Sequence, residues 1–216
     1  MFDQILSILF PERCCACGKA GSALCSECLS NIPSSMPLLE DMPCHAFFDY
    51  SDRTVQTIIR QLKYHRKSAA AKILALRGAE ALPEYLSSVL QSTEPVDIVF
   101  VPIPQHYTKT FARGFNQSLF IARWLASGIF NTKVHLLLKK QKSTIPQAQT
   151  RNRSEREKNL HGSMKARETL NAKTLYVLVD DVITTGSTIK EASRALRAAG
   201  ARKICAIALA HGYANG

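Results

Sequence analysis

The chain has 216 residues, 46% of them apolar and 21% charged, which excludes a disordered polymer and leaves room for one medium domain with a small appendage, but not for two ordinary enzyme domains. No apolar run reaches the roughly 20 residues needed to span a bilayer, so no membrane insertion is expected. The net charge of +11 favours anionic partners: a phosphorylated substrate uses part of such an excess and nucleic acid can use the rest, unless the surface is simply solvated.

Phe2 to Phe10 contains Asp3, lacks a basic start and runs directly into cysteine-rich sequence. It does not read as a signal peptide, and the expected location is the cytoplasm. Four of the seven cysteines carry a pattern: Cys14-x-x-Cys17 and Cys25-x-x-Cys28, separated by Gly18 to Leu24. That spacing lets four thiolates converge on one tetrahedral Zn²⁺, with Cys15 competing in register with Cys14. Redox thiols or a disulfide pair are the alternative, less favoured in a reducing compartment. Four thiolates leave no open coordination position, so the metal is expected to be structural, stapling a module too small to bury its own core. Cys44 and Cys205 stand alone in apolar surroundings and read as buried small hydrophobes. Pro33, Ser34, Ser35, Pro37 and Pro43 mark a linker, giving a zinc module over residues 1–44 and an α/β domain over 45–216.

Ala46 to Tyr50 reads as a short strand, and Thr54 to Tyr64 as an amphipathic helix with Val55, Ile58, Ile59 and Leu62 on one face. The cluster Lys63-Tyr64-His65-Arg66-Lys67 ends that helix; dipole compensation accounts for it, and substrate contact by Lys63 is the other use. A helical stretch follows from Ser68 to Leu90, interrupted near Pro83. Asp97 to Pro104 is a strand stopping at two prolines, followed by a loop, Arg113-Gly114-Phe115-Asn116-Gln117, and a helix to about Ser127. A polar, basic loop at the end of a parallel strand suits a diphosphate, while a helix start and plain solvation would equally explain Arg113 and Asn116.

Lys133 to Lys140 reads as a strand with Val134, Leu136 and Leu138 alternating. Gln141 to Asn159 is long, polar and basic, with Arg151, Arg153, Arg156 and Lys158. Such loops are functional or disordered, and arginines without interleaved aromatics suit phosphate contact rather than base stacking. After the next strand come a helix, Ser187 to Ala199, with Ile189, Ala192, Ala195, Leu196 and Ala199 inward, Gly200 as its C′ residue, and a buried strand, Lys203 to Ala210. His211 trails that strand; a ligand role is open, but a lone terminal histidine needs none.

The stretch Val177-Leu178-Val179-Asp180-Asp181-Val182-Ile183-Thr184-Thr185-Gly186-Ser187-Thr188 organises the rest. It passes from a buried parallel strand through two adjacent carboxylates into a hydroxyl-rich turn. Strand carboxyl ends face the ligand crevice of an open parallel sheet, so Asp180 and Asp181 are expected at its lip. Paired carboxylates accept hydrogen bonds from a ribose diol, directly or through Mg²⁺ and its waters. Thr184 to Thr188 then offers amides, hydroxyls and a helix N-terminus for a phosphate monoester. Diol beside phosphate means a phosphorylated ribose; a helix-capping Asp pair with a simple glycine turn is the plainer alternative.

This string resembles the phosphoribosyl-diphosphate (PRPP) signature of the type I phosphoribosyltransferases. With the cysteine knuckles, Lys63-Tyr64, Val101-Pro102-Ile103-Pro104 and Arg113-Gly114-Phe115-Asn116-Gln117 ahead of it in order, the chain resembles the ComF family, also known as ComFC or GntX-like proteins, over most of its length. The resemblance implies a phosphoribosyltransferase fold preceded by a zinc-knuckle module, and a link to natural competence and DNA uptake. It implies PRPP contacts along Val182, Ile183, Thr184, Thr185, Gly186, Ser187 and Thr188. It makes Pro102 to Arg113 the diphosphate loop, with Pro102, Pro104, Arg113, Gly114, Asn116, Gln117, Arg156 and Lys63 around the diphosphate and Mg²⁺ bridging to the ribose. Gln141 to Asn159 becomes a hood over the diphosphate, matched loosely at Gln147, Arg156 and Asn159; Thr150 and Ser163-Met164 depart from the family pattern.

If the protein catalyses, Asp180 and Asp181 are expected to steady the ribose and its developing oxocarbenium charge while a nitrogenous nucleophile attacks C1. No segment reads a base or generates ammonia, and Cys14 is no N-terminal nucleophile, so the acceptor is open. The alternative is a non-catalytic protein of the uptake machinery that grips single-stranded DNA or a helicase partner, with PRPP or a nucleotide as regulator.

Overall fold

The computed structural model describes residues 11–34, 42–65, 68–91, 96–105, 114–141 and 162–212. Seven strands and six helices appear among them. A short helix α1 (Ser26–Ser30) closes the cysteine segment. Then follow β1 (Cys44–Asp49), α2 (Arg53–His65), α3 (Ala69–Ala79), α4 (Leu82–Leu90) and β2 (Ile98–Pro102). The second half holds α5 (Gln117–Ala126), β3 (Thr132–Val134), β4 (Leu138–Lys140), β5 (Met164–Ala166), β6 (Leu175–Ile183), α6 (Ser187–Ala198) and β7 (Lys203–His211).

Five strands form one parallel sheet in the order β1-β7-β6-β2-β3. Its central strands β6 and β7 are apolar and buried along nearly their whole length, as strands covered on both faces must be. One face packs against α2 to α5 through Val55, Ile58, Ile59, Leu62, Leu74, Ile121 and Leu125. The other packs against α6 through Ile189, Ala192, Ala195 and Leu196, joined by Leu138 and Met164 of a separate antiparallel pair, β4 and β5. This is the expected α/β architecture.

The cysteine segment is seated on the same core. Cys14, Ala23, Leu24 and Ile32 share one buried cluster with Phe47 and Phe48 of β1. Ser34 bridges Phe48, and the Asp49 amide donates to Pro33 O at 3.2 Å.

Several expectations need correction. Lys133 to Lys140 is not one strand: β3 stays in the parallel sheet, and β4 leaves to pair with β5, which the sequence did not suggest. Leu136 is therefore 52% exposed while Leu137 and Leu138 are buried, a phase shift that an alternating strand would forbid. The interruption expected near Pro83 does fall there, at Glu80 and Ala81, with Pro83 itself in the first turn of α4, where its missing N–H costs nothing. β6 runs on to Ile183, so Asp180 and Asp181 lie within its last four residues. His211 is the final residue of β7, its carbonyl accepting from the Tyr50 amide at 2.8 Å. Cys205 is buried as expected and Cys44 half-buried.

Candidate functional site

Three elements converge on the carboxyl end of β6. Asp180 is 9% exposed and accepts a hydrogen bond at Oδ1 from Ser118 Oγ of α5 (3.0 Å) and another from the Asp181 amide (2.9 Å). Asp181 is 5% exposed, and its Oδ1 lies 3.0 Å from Lys63 Nζ, reaching across from the end of α2. Its Oδ2 is buried with no hydrogen-bond partner among the described residues. Burial, then the neighbouring Asp181 carboxylate, pushes the Asp180 carboxyl up to about 7. Burial opposes the charged form of Lys63, but Asp181, then Asp180, outweigh it and hold the ammonium above the ordinary lysine range.

The strand then turns. Thr184 is exposed, and Thr185 Oγ1 and Ser187 Oγ share a hydrogen bond of 3.0 Å. Gly186 sits at φ 72°, a left-handed position at the N-cap of α6, with no side chain capping the helix. The first turn of α6 presents the positive end of the helix dipole, with the Ser187 amide donating to Thr185 Oγ1 at 3.4 Å. Asp180 and Val182 to Ile189 together line one shallow concavity, which opens to solvent.

At the end of β2, the ladder with β6 continues past Pro102 through Ile103 N–H to Val179 O, 2.9 Å. The Asn116 side chain closes the neck of the loop that follows: Nδ2 donates to Ile103 O (3.0 Å) and Oδ1 accepts from the Ser118 amide (3.0 Å), capping α5. Both ends of that side chain are thus engaged within the protein, in the helix-start role foreseen for it. Gly114 takes φ 73°, and Gln117 is fully buried with its amide unpaired. Arg113, Arg156, the Gln141 to Asn159 hood beyond its first residue, and Arg66 and Lys67 lie outside the described residues. Ser118 was missed by sequence reading; its place directly after the Arg-Gly-Phe-Asn-Gln string was the available signal.

A second candidate centre lies in the cysteine segment. The sulfurs of Cys14, Cys17, Cys25 and Cys28 all fall within 4.8 Å of one another. Cys17 and Cys25 Sγ are 3.8 Å apart, the edge expected of a tetrahedron with Zn–S bonds of about 2.3 Å. Gly18 at φ 76° turns the first knuckle back. Although burial pushes the Cys14 thiol up, backbone hydrogen bonds from Cys17, Cys25 and Ala16 outweigh it and bring it to about 6, favouring a thiolate. Cys15, raised by burial, lies outside the cluster, which settles the register on Cys14. The donor set fits Zn²⁺.

The chain is similar to several known proteins. The family profile "Phosphoribosyl transferase domain" matches residues 118–215. The chain is 26% identical over 202 residues to Competence protein F of Haemophilus influenzae, covering 87% of this chain and 81% of that protein. It is 29% identical over 205 residues to DNA utilization protein YhgH of Salmonella typhimurium, covering 88% and 86%. Purine phosphoribosyltransferase from Pyrococcus horikoshii aligns over 66% of this chain and 80% of its own, with 21% identity and a TM-score of 0.37.

Proposed function

Because the chain is a homologue of Competence protein F and the YhgH proteins that carries a phosphoribosyl transferase domain, we propose that it binds PRPP together with Mg²⁺ at the end of β6. The observation that carries this reading is the single concavity lined by both Asp180 and the Thr184 to Thr188 turn. A diol acceptor and a phosphate cradle stand there side by side.

In this reading the amides and hydroxyls of Thr184 to Thr188 hold the 5-phosphate, and Asp180, which lines the same concavity, faces the ribose hydroxyls. An all-oxygen donor set of carboxylate and hydroxyl groups suits Mg²⁺. Bound Mg²⁺ supplies charge neutralisation to the diphosphate as it leaves. If transfer occurs, the C1–O bond to diphosphate breaks, a C1–N bond forms to an acceptor, and the nearby carboxylates stabilise positive charge developing on the ribose ring. Ser118 fixes the Asp180 carboxylate, and Lys63 compensates Asp181.

Calorimetry with PRPP and Mg²⁺ tests the site. The Asp180→Asn/Asp181→Asn double variant is expected to lose binding, and undiminished affinity would remove the assignment. Diphosphate release screened across bases, amines and ammonia tests for catalysis; silence throughout would leave a PRPP-binding protein without transferase activity.

A second role, gripping single-stranded DNA, is favoured by where the charge lies. From Ile98 to Arg167 there are 13 Lys and Arg against two acids, Glu155 and Glu157; the remainder of the chain balances 15 against 15, so this stretch carries the entire +11. Within it, β3 is an outer strand of the sheet, and Arg123, Lys133 and Lys139 are exposed. Phe130 is 97% exposed and offers a ring for base stacking beside phosphate-binding cations. A salt-dependent gel shift that weakens in Lys133→Glu/Lys139→Glu and in Phe130→Ala is expected; a shift that survives these but vanishes in Arg13→Glu/Lys19→Glu, exposed on the cysteine segment, would move DNA contact there.

A further inference from the structure

Lys63 does something in this structure that holding a diphosphate would not require. Its ammonium, on a side chain 22% exposed, is committed to Asp181 Oδ1 at 3.0 Å, while Asp181 Oδ2 is buried and bare. An ionised carboxylate has about four acceptor positions, and leaving one oxygen buried without a donor is costly. The pair is therefore half-made: one oxygen is compensated by a lysine, and the other has no hydrogen-bond partner among the described residues. Asp180 differs, being held by Ser118 and by the Asp181 amide, both fixed parts of the fold.

The type of cation matters. Lysine is a compact charge on a flexible four-carbon stem and can leave a carboxylate without moving the helix that carries it. An arginine there would bring a planar fork able to take both oxygens at once. A buried carboxylate pair with no cation would be a strong trap for any divalent metal, since buried charges demand compensation.

We infer that Lys63 is a placeholder cation: it neutralises Asp181 while the site is empty, prevents a divalent metal from settling there alone, and releases Oδ1 when a metal-bearing phosphoribosyl ligand arrives. Two positive charges cannot share that carboxylate at contact distance without mutual repulsion. Loading is thus ordered, the cation entering with the anionic ligand that carries it. This inference rests on the reading of the site as one for PRPP and Mg²⁺, and it makes Lys63 a positioning residue rather than a diphosphate contact in the unliganded protein.

The test uses Mg²⁺ alone, followed by calorimetry and by thermal melting of the full chain. Lys63→Met is expected to bind Mg²⁺ about tenfold or more tightly than the wild type and to melt higher as Mg²⁺ is added, because the freed carboxylate is left uncompensated. Lys63→Met/Asp181→Asn should lose that gain. Lys63→Arg should move the opposite way, binding Mg²⁺ more weakly than the wild type as the fork closes over both oxygens; this variant also keeps the test decisive if Lys63→Met fails to fold. Equal Mg²⁺ affinity in the wild type and Lys63→Met, or tighter Mg²⁺ binding by Lys63→Arg, would overturn the inference. Failure of the PRPP reading itself would look different: no PRPP binding by the wild type at any Mg²⁺ concentration, with the order of Mg²⁺ affinities among the variants unchanged.

Discussion

Ser118 Oγ donates to Asp180 Oδ1 across 3.0 Å, although 62 residues separate them in sequence. Ser118 is in the first turn of α5, whose N-cap Asn116 also grips Ile103 at the end of β2. The neck of the β2–α5 loop and the carboxylate at the end of β6 are therefore parts of one hydrogen-bonded unit. Ser118→Ala should cost about 1–2 kcal/mol of stability, because a buried acceptor loses a donor. It should also weaken PRPP binding on the order of tenfold, as removing the partner of a ligand-binding group does. Ser118→Thr, which keeps the hydroxyl, should restore most of the affinity. Denaturant unfolding and calorimetry read the two effects separately; a Ser118→Ala protein with reduced stability but wild-type affinity would make the contact purely structural.

The raised Asp180 carboxyl gives a pH signature of known sign. The folded protein holds this proton up to about 7, while the unfolded chain releases it near 4. Between those values the native state binds more protons than the unfolded state, so this group's contribution to stability falls as pH rises and flattens above 7. Asp180→Asn cannot titrate. The stability difference between wild type and Asp180→Asn, from urea midpoints across pH 4 to 8, should therefore move against the wild type as pH rises through that window. A flat difference would mean that the carboxylate is already ionised at pH 4.

Much of this site was legible in the sequence because its chemistry is local. The two aspartates, the threonine turn and Gly186 are contiguous, and each is specified by strand burial, dipole or a left-handed φ. The cysteine cluster was legible for the same reason, since knuckle spacing alone brings four sulfurs together. Contacts between distant segments were not legible. The Lys63 to Asp181 pair spans helix and strand, and helix-dipole compensation explained the lysine equally well. The β4–β5 pair escaped because Val134, Leu136 and Leu138 imitate one alternating strand, while the break between β3 and β4 is set by tertiary pairing with Met164 to Ala166.

Removing a zinc ion held by the four cysteines should affect more than the cysteine segment. Cys14, Ala23, Leu24 and Ile32 are packed in one cluster with Phe47, Phe48 and the helices beneath them. Chelation, or Cys17→Ser together with Cys28→Ser, should lower the melting temperature of the whole chain by about 10 °C in one transition, since structural zinc contributes folding energy directly. Elemental analysis should give about one zinc per chain before treatment. A two-step melt, with the α/β domain unmoved, would show that the two parts fold independently.

Glu191 sets the position of the β4–β5 pair. Its carboxylate, 4% exposed, accepts the Met164 amide at 2.9 Å and two bonds from Arg194, 2.7 and 2.9 Å, while Arg194 also donates to Met164 O at 3.2 Å. Burial opposes ionisation of Glu191, but Arg194 and the Met164 amide outweigh it and hold the carboxyl below its ordinary range. The arrangement ties β5 to α6, the helix whose first turn lines the concavity at the end of β6. Glu191→Ala leaves the Met164 amide unpaired and removes the partner of Arg194, so it should destabilise by about 3 kcal/mol. Arg194→Ala should cost less, because that side chain is 39% exposed and water replaces it. Hydrogen exchange gives the sharper readout: the Met164 amide should lose protection in Glu191→Ala and keep most of it in Glu191→Gln, which retains an acceptor. If Met164 stays protected in Glu191→Ala, the β4–β5 ladder and its packing on Met164 and Leu138 hold the pair in place, and Glu191 serves only its arginine.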